Sequence, residues 1–167
     1  MGCDIHGTIE VYMGRWLCAL NITDFSPRNY TLFSNFFGVR GPNLLPYKDR
    51  GFPDGISWGT KGTFCEDCDG AGHPQAAEAL RKKWLSYRKD TGYCQKCQDY
   101  HSVSYLTIRE VNKHQEPLEK CIGDSARWLF VFDMMECYNL YIQQNGQEKT
   151  APEDDGSTVR LIVWFDN

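Results

Sequence analysis

No run of about 18 apolar residues occurs anywhere in this chain, so no helix fit to cross a membrane is expected. The opening lacks a basic segment followed by an apolar one, which argues against a secretory signal. N-myristoylation calls for Ser or Thr where His6 stands, so Met1-Gly2-Cys3 is not read as an acylation site. Strong charge is missing as well: 18 Lys and Arg against 22 Asp and Glu leave a net charge of −4. That balance gives no electrostatic footprint for non-specific binding to DNA or RNA, so nucleic acid is not an expected partner. Disulfides are not expected in the cytoplasmic setting these absences suggest. Isolated Cys3, Cys18, Cys121 and Cys137 are therefore read as buried reduced thiols.

What is present fits one domain over residues 1–167, with a core rich in aromatics at 14% of the chain. From Asp4 to Met13 the sequence alternates. Ile5, Ile9, Val11 and Met13 fall on odd positions; Asp4, His6, Thr8, Glu10 and Tyr12 fall on even ones. That period predicts a strand with Asp4 and His6 side by side on its polar face. An Asp and an imidazole so spaced can share a divalent cation or a phosphate. Trp16 to Leu20 is the expected hairpin partner after Gly14-Arg15. Tyr30, Phe33, Phe36 and Phe37 recur at helical spacing and Gly38 supplies a stop. Residues 39–62 read as a long irregular loop, and Arg28, Arg40 and Arg50 are candidate forks for phosphate or carboxylate.

The strongest motif is Cys65-Glu66-Asp67-Cys68-Asp69-Gly70-Ala71-Gly72, answered by Cys94-Gln95-Lys96-Cys97. Four thiolates in two C-x-x-C pairs can occupy the corners of a tetrahedron around zinc. C-x-x-C-x-G-x-G resembles one zinc-binding repeat of DnaJ-type chaperones over these eight residues, which implies a metal and not the chaperone role. A four-sulfur site leaves no open position for substrate, so the zinc is expected to be structural, in a lobe spanning 63–98. His73 is a spare ligand. Within that lobe, Pro74 to Asp90 reads as a basic helix with Ala76, Ala77, Leu80, Trp84 and Tyr87 as its apolar stripe.

A second D-x-H follows at Asp99-Tyr100-His101, and a helix is expected from Leu106 to about Gln115. Two such pairs offer mixed oxygen and nitrogen ligands for a second divalent metal. Ser125 to Gln144 has the spacing of a long core helix, although residues 128–132 could also form a strand. The run Val159 to Phe165 predicts an interior strand covered on both faces. If the terminal strands are neighbours, Asp166 lies near Asp4. The expected fold is α+β: a small mixed or antiparallel sheet pairing the N- and C-terminal strands, flanking helices and an inserted four-cysteine zinc lobe.

Met1-Gly2-Cys3-Asp4-Ile5-His6 and the ending Val159 to Asn167 resemble a family of small uncharacterised bacteriophage and prophage proteins. Those begin MGCDIH and end in a VRIVFWFDN-like strand. Arg28-Asn29-Tyr30-Thr31-Leu32-Phe33, Gly38-Val39-Arg40, Arg50-Gly51-Phe52-Pro53 and Asp99-Tyr100-His101-Ser102 match further family segments. Val103 stands where the family has a second His. The resemblance implies a phage setting, in the cytoplasm of an infected bacterium. It also implies one site built from Asp4, His6, Arg28, Arg40, Arg50, Asp99, His101 and Asp166, to which Tyr30 is added as a ring beside the arginines.

The expected function is binding of a phosphorylated small molecule, with sequestration of a nucleotide signal in counter-defence as the biological role. Tyr30 and Trp58 are candidate rings for stacking on a base. Two alternatives stay open: a metal-dependent phosphoester hydrolase using Asp4, His6, Asp99 and His101, and a zinc-stabilised interaction module using the basic helix. A homo-oligomer is compatible with each.

Overall fold

The computed structural model describes residues 3–24, 28–42, 44–76, 78–88, 92–145 and 155–166. In chain order the elements are β1 (Asp4–Tyr12), β2 (Trp16–Asn21), α1 (Tyr30–Phe37), α2 (Trp58–Phe64) and α3 (Glu78–Arg88). They continue with β3 (His101–Thr107), α4 (Ile108–Lys113), α5 (Gln115–Ile122), α6 (Ala126–Gln144) and β4 (Val159–Asp166). The four strands form one antiparallel sheet in the order β2-β1-β4-β3. The α+β class is therefore as the sequence predicts, and the terminal strands make the central pair, with Asp4 opposite Asp166.

Two cores sandwich this sheet. On one face Ile5, Ile9, Val11, Leu106, Leu161, Val163 and Phe165 meet α1, α4, α5 and α6. Aromatic rings fill much of this core: Phe33 and Phe37 both pack on Phe165, with ring centroids 5.1 and 5.7 Å away. On the other face Ile162 and Trp164 join Phe52, Ile56, Phe64 and the four lobe cysteines. β4 is thus covered on both sides, which its nearly unbroken apolar run requires. The lobe is not a freestanding appendage. It closes the second face.

The even-numbered side of β1 is drier than its polar sequence suggests. Thr8 and Glu10 are fully buried. Thr8 bonds the Thr60 hydroxyl of α2 at 2.8 Å, and Glu10 accepts the Ser57 N–H at 2.7 Å. Residues 39–62 are consequently not all loop: Ser57 caps Thr60 and starts α2 over the strand. α3 begins at Glu78 instead of Pro74, because 73–76 is spent in a turn closed by the Ala76 N–H to the His73 carbonyl. Lys89 and Asp90 lie outside the described residues. Leu106 belongs to a strand, not a helix; pairing with Leu161 outweighs the local pattern. Helix begins after Thr107, whose capping box with Glu110 fixes the start. α5, unread in the sequence, follows at once. α6 matches the predicted bounds within a residue, and none of the described helices is long and apolar enough to cross a membrane.

Candidate functional site

The end of the sheet where β1 starts and β4 stops collects six of the nine predicted ligand residues. Asp4 and Asp166 face each other across the central pair, and the Asp4 N–H donates to Asp166 Oδ1 at 3.2 Å. His6, two residues along the same face, hydrogen-bonds through Nε2 to Asp166 Oδ2 at 3.0 Å. The imidazole lies nearly parallel to Trp164 at 6.2 Å, and Tyr100 approaches to 5.4 Å. Arg28 reaches in from the segment before α1. Its Nε and Nη2 donate to the two Asp4 oxygens, Nη2 to Oδ2 at 2.9 Å. That fork holds the Asp4 carboxyl below the usual carboxylate range.

α1 carries Tyr30 into the group. Asn29 caps the helix by accepting the Leu32 N–H at 2.9 Å and ties it to α5 through the Cys121 carbonyl, also 2.9 Å. The Tyr30 hydroxyl accepts the Cys3 N–H at 3.5 Å, and the Arg40 guanidinium stands 5.8 Å from the Tyr30 ring centre. Arg40 holds φ +58°, an unusual conformation for a side chain of its size, just past the left-handed Gly38 that ends α1. Cys3 is buried beneath this group, and burial raises its thiol pKa; the charges of Arg40, Asp166, Asp4 and Arg28 all act on it.

Three predicted residues do not join. Arg50 is locked elsewhere: Nη1 donates to both Glu110 oxygens at 2.9 and 2.8 Å and to the Tyr105 carbonyl at 3.0 Å, and the guanidinium stacks 3.8 Å from the Tyr105 ring. Asp99 is exposed ahead of β3. His101 pairs in register with Phe165 and stacks on it at 6.1 Å, whereas His6 pairs with Trp164. Phe165 and Trp164 are consecutive, so the two histidines belong to opposite faces of the sheet. The two D-x-H motifs therefore flank the same end of β4 without forming one ligand set. His101 Nδ1 bonds the Ser102 hydroxyl at 3.0 Å, while its buried Nε2 has no partner.

Cys65, Cys68, Cys94 and Cys97 do converge. All four are buried, with their sulfurs within 4.8 Å of one another, a spacing that can hold a metal ion. Cys65 Sγ lies 3.7 Å from Cys94 Sγ, and Cys68 Sγ lies 3.6 Å from Cys97 Sγ. The glycines after the first pair act as the motif suggests. Gly70 takes φ +74°, and Gly72 packs where a Cβ would stand 3.0 Å from both the Cys94 Cβ and the Trp84 ring. The Gly72 amide points at Cys68, whose thiol pKa is lowered, first by the thiol of Cys97. His73 is not a ligand. Its Nε2 donates to the Tyr100 carbonyl at 2.7 Å, its Nδ1 accepts the Gln75 N–H at 3.2 Å, and burial lowers its pKa.

Tyr100 and Trp164, which clamp His6, are not among the site residues that the sequence predicts. Their signal was available: each is adjacent to a chosen residue or one strand step from it. No family model, curated protein or solved structure matches this chain.

Proposed function

We propose that this protein binds a small phosphorylated molecule, of the nucleotide class, at the sheet end and holds it uncleaved. The observation that carries this reading is the gathering of Arg28, Arg40, His6 and Tyr30 from three separate segments around the Asp4–Asp166 pair. Arg28 and Asp4 are each about half exposed, at 52% and 50%, and exposed pairs contribute little to stability. A phosphate carries more charge than a carboxylate and fits the same guanidinium fork, so it can take Arg28 from Asp4 at small cost. Tyr30, 43% exposed, offers its ring to a base.

The hydrolase reading has less behind it. Asp4 is turned to Arg28, and among the described residues only the four cysteines bring three or more ligating groups together. We assign zinc to that cluster. Four sulfurs about 2.3 Å from a central zinc stand about 3.8 Å apart in a regular tetrahedron, close to the 3.7 and 3.6 Å separations here. The resemblance to phage proteins supplies the setting, sequestration of a nucleotide signal in the cytoplasm of an infected bacterium. The test is calorimetric titration with a panel of linear and cyclic nucleotides, followed by mass spectrometry of the recovered ligand. Saturable heat that disappears in Arg28→Ala and Arg40→Ala, with the ligand intact, supports the reading. Absence of heat across the panel, or recovery of a shortened ligand, sinks it.

A further inference from the structure

A second feature lies away from the sheet end. Between α2, α3 and the cysteine lobe runs a cleft of about 930 Å³, lined in part by Trp58, Lys61, Leu80, Lys83, Trp84 and Tyr87. A smaller hollow of about 300 Å³ beside Phe52, Pro53 and Ile56 shares Lys61, Leu80 and Lys83 with it, so the two lie side by side. Tyr87, expected from its spacing to be core, is instead 86% exposed, and Trp58 is 74% exposed. Lys61 Nζ stands 4.6 Å from the centre of the Trp58 ring. α3 carries Arg81, Lys82, Lys83 and Arg88 against one acid, Glu78. Two carboxylates also line the cleft, Asp67 and Asp69; Asp67 is paired with Lys96 at 3.0 Å.

We propose that this groove binds single-stranded nucleic acid, with bases stacked on Trp58 and Tyr87 and backbone phosphates beside Lys61 and Lys83. Two large rings left in water beside flexible cations form a stacking platform with charges to track a backbone. A duplex keeps its bases stacked inside and offers these rings no free face, so single strands are selected. A lone nucleotide needs one ring and one cation. The groove presents two of each, and the second hollow borders it across Lys61, Leu80 and Lys83. The chain-wide charge of −4 describes the whole surface, while the helix beside the groove is locally basic.

The test is fluorescence anisotropy of a labelled oligothymidylate titrated with the metal-loaded full chain. Binding should weaken as salt rises. Trp58→Ala and Tyr87→Ala should each weaken it at least ~5-fold, the loss of one stacked base. Lys83→Ala should lower the log–log salt slope by about 0.7, one phosphate contact to a single strand. Lys120→Ala, an exposed lysine on α5, should leave binding unchanged and so exclude a generic charge effect. Trp58 and Tyr87 pack little, so their variants should keep the wild-type far-ultraviolet spectrum. The proposal is overturned by any of three results: no anisotropy change at low salt, equal competition by thymidine monophosphate or by duplex, or wild-type affinity in Trp58→Ala. None of these bears on the sheet-end site, whose residues are different.

Discussion

Arg160→Met should destabilise the protein by about 3–5 kcal/mol, the usual penalty for leaving one member of a buried ion pair alone. Arg160 and Glu10 stand directly opposite each other on the central strands, and both are fully buried. Arg160 donates to Glu10 Oε2 from Nε at 2.9 Å and from Nη2 at 2.8 Å, and its guanidinium lies 3.7 Å from the Trp16 ring centre. The same two side chains hold the segment before α2. Arg160 donates from Nη1 and Nη2 to the Asp54 carbonyl, each at 3.1 Å, and Glu10 Oε1 takes the Ser57 N–H at 2.7 Å. A methionine fills much of the arginine's volume, so the loss reads the charge and not a cavity. Domains of this kind have total stabilities of roughly 5–15 kcal/mol, so the variant forfeits a large share.

Glu10→Leu/Arg160→Met removes both charges and should recover part of that loss. The recovery is partial because the buried Ser57 N–H then loses its partner Glu10, at about 1–3 kcal/mol. Urea unfolding followed by tryptophan fluorescence, with metal kept saturating, measures both variants. If Arg160→Met unfolds within about 1 kcal/mol of wild type, or if the double variant is no more stable than the single one, the pair does not carry the anchoring assigned to it.

Cys65→Ser should reduce the metal content below one ion per chain and open the lobe, exposing Trp164, which packs in the same cluster as the cysteines. Native mass spectrometry together with acrylamide quenching reads both, and a variant that retains one ion refutes the assignment. Because burial lowers the His73 pKa, the unfolded chain binds a proton more readily than the folded one. Stability should therefore be full above the ordinary histidine pKa of about 6.5 and decline as pH falls through the lower folded value. His73→Gln should flatten that decline in urea titrations across roughly pH 5 to 7, the range in which histidine titrates. Gly7→Ala places a Cβ 2.5 Å from the Ile162 carbonyl oxygen of the paired strand, so it should lower stability by about 1–3 kcal/mol in the same assay.

Patterns that one element can satisfy alone were legible in the sequence. The alternation from Asp4 to Met13, the spacing of Phe33, Phe36 and Phe37, and the doubly apolar run at Val159 each declare their own state. The structure returns β1, α1 and β4 in those places. The thiolate pairs were legible for a similar reason: a metal demands a spacing, and the spacing survives in the chain. Less visible was the inside of the polar face. Glu10 looks like an ordinary outward carboxylate and Arg160 like an interruption in an apolar strand. Only their opposition across the central pair, under α2, turns both into core residues.

His101 shows why a motif that looks identical to another need not do the same work. Asp4-Ile5-His6 and Asp99-Tyr100-His101 share a spacing, and spacing within a strand states only that the two ends point the same way. Which way is decided by the partner strand. His6 is set opposite Trp164, and His101 opposite Phe165, one residue further on. A register shift between His101 and Ser104, with Ser102 at φ +51°, then lets Val103 face Trp164's cluster while His101 stacks on the other side. No count along β3 alone could reveal that step, because the extra residue is recognised only against β4. The sheet-end site is therefore a product of the terminal pair and α1, with Tyr100, not His101, as the contribution from the second motif.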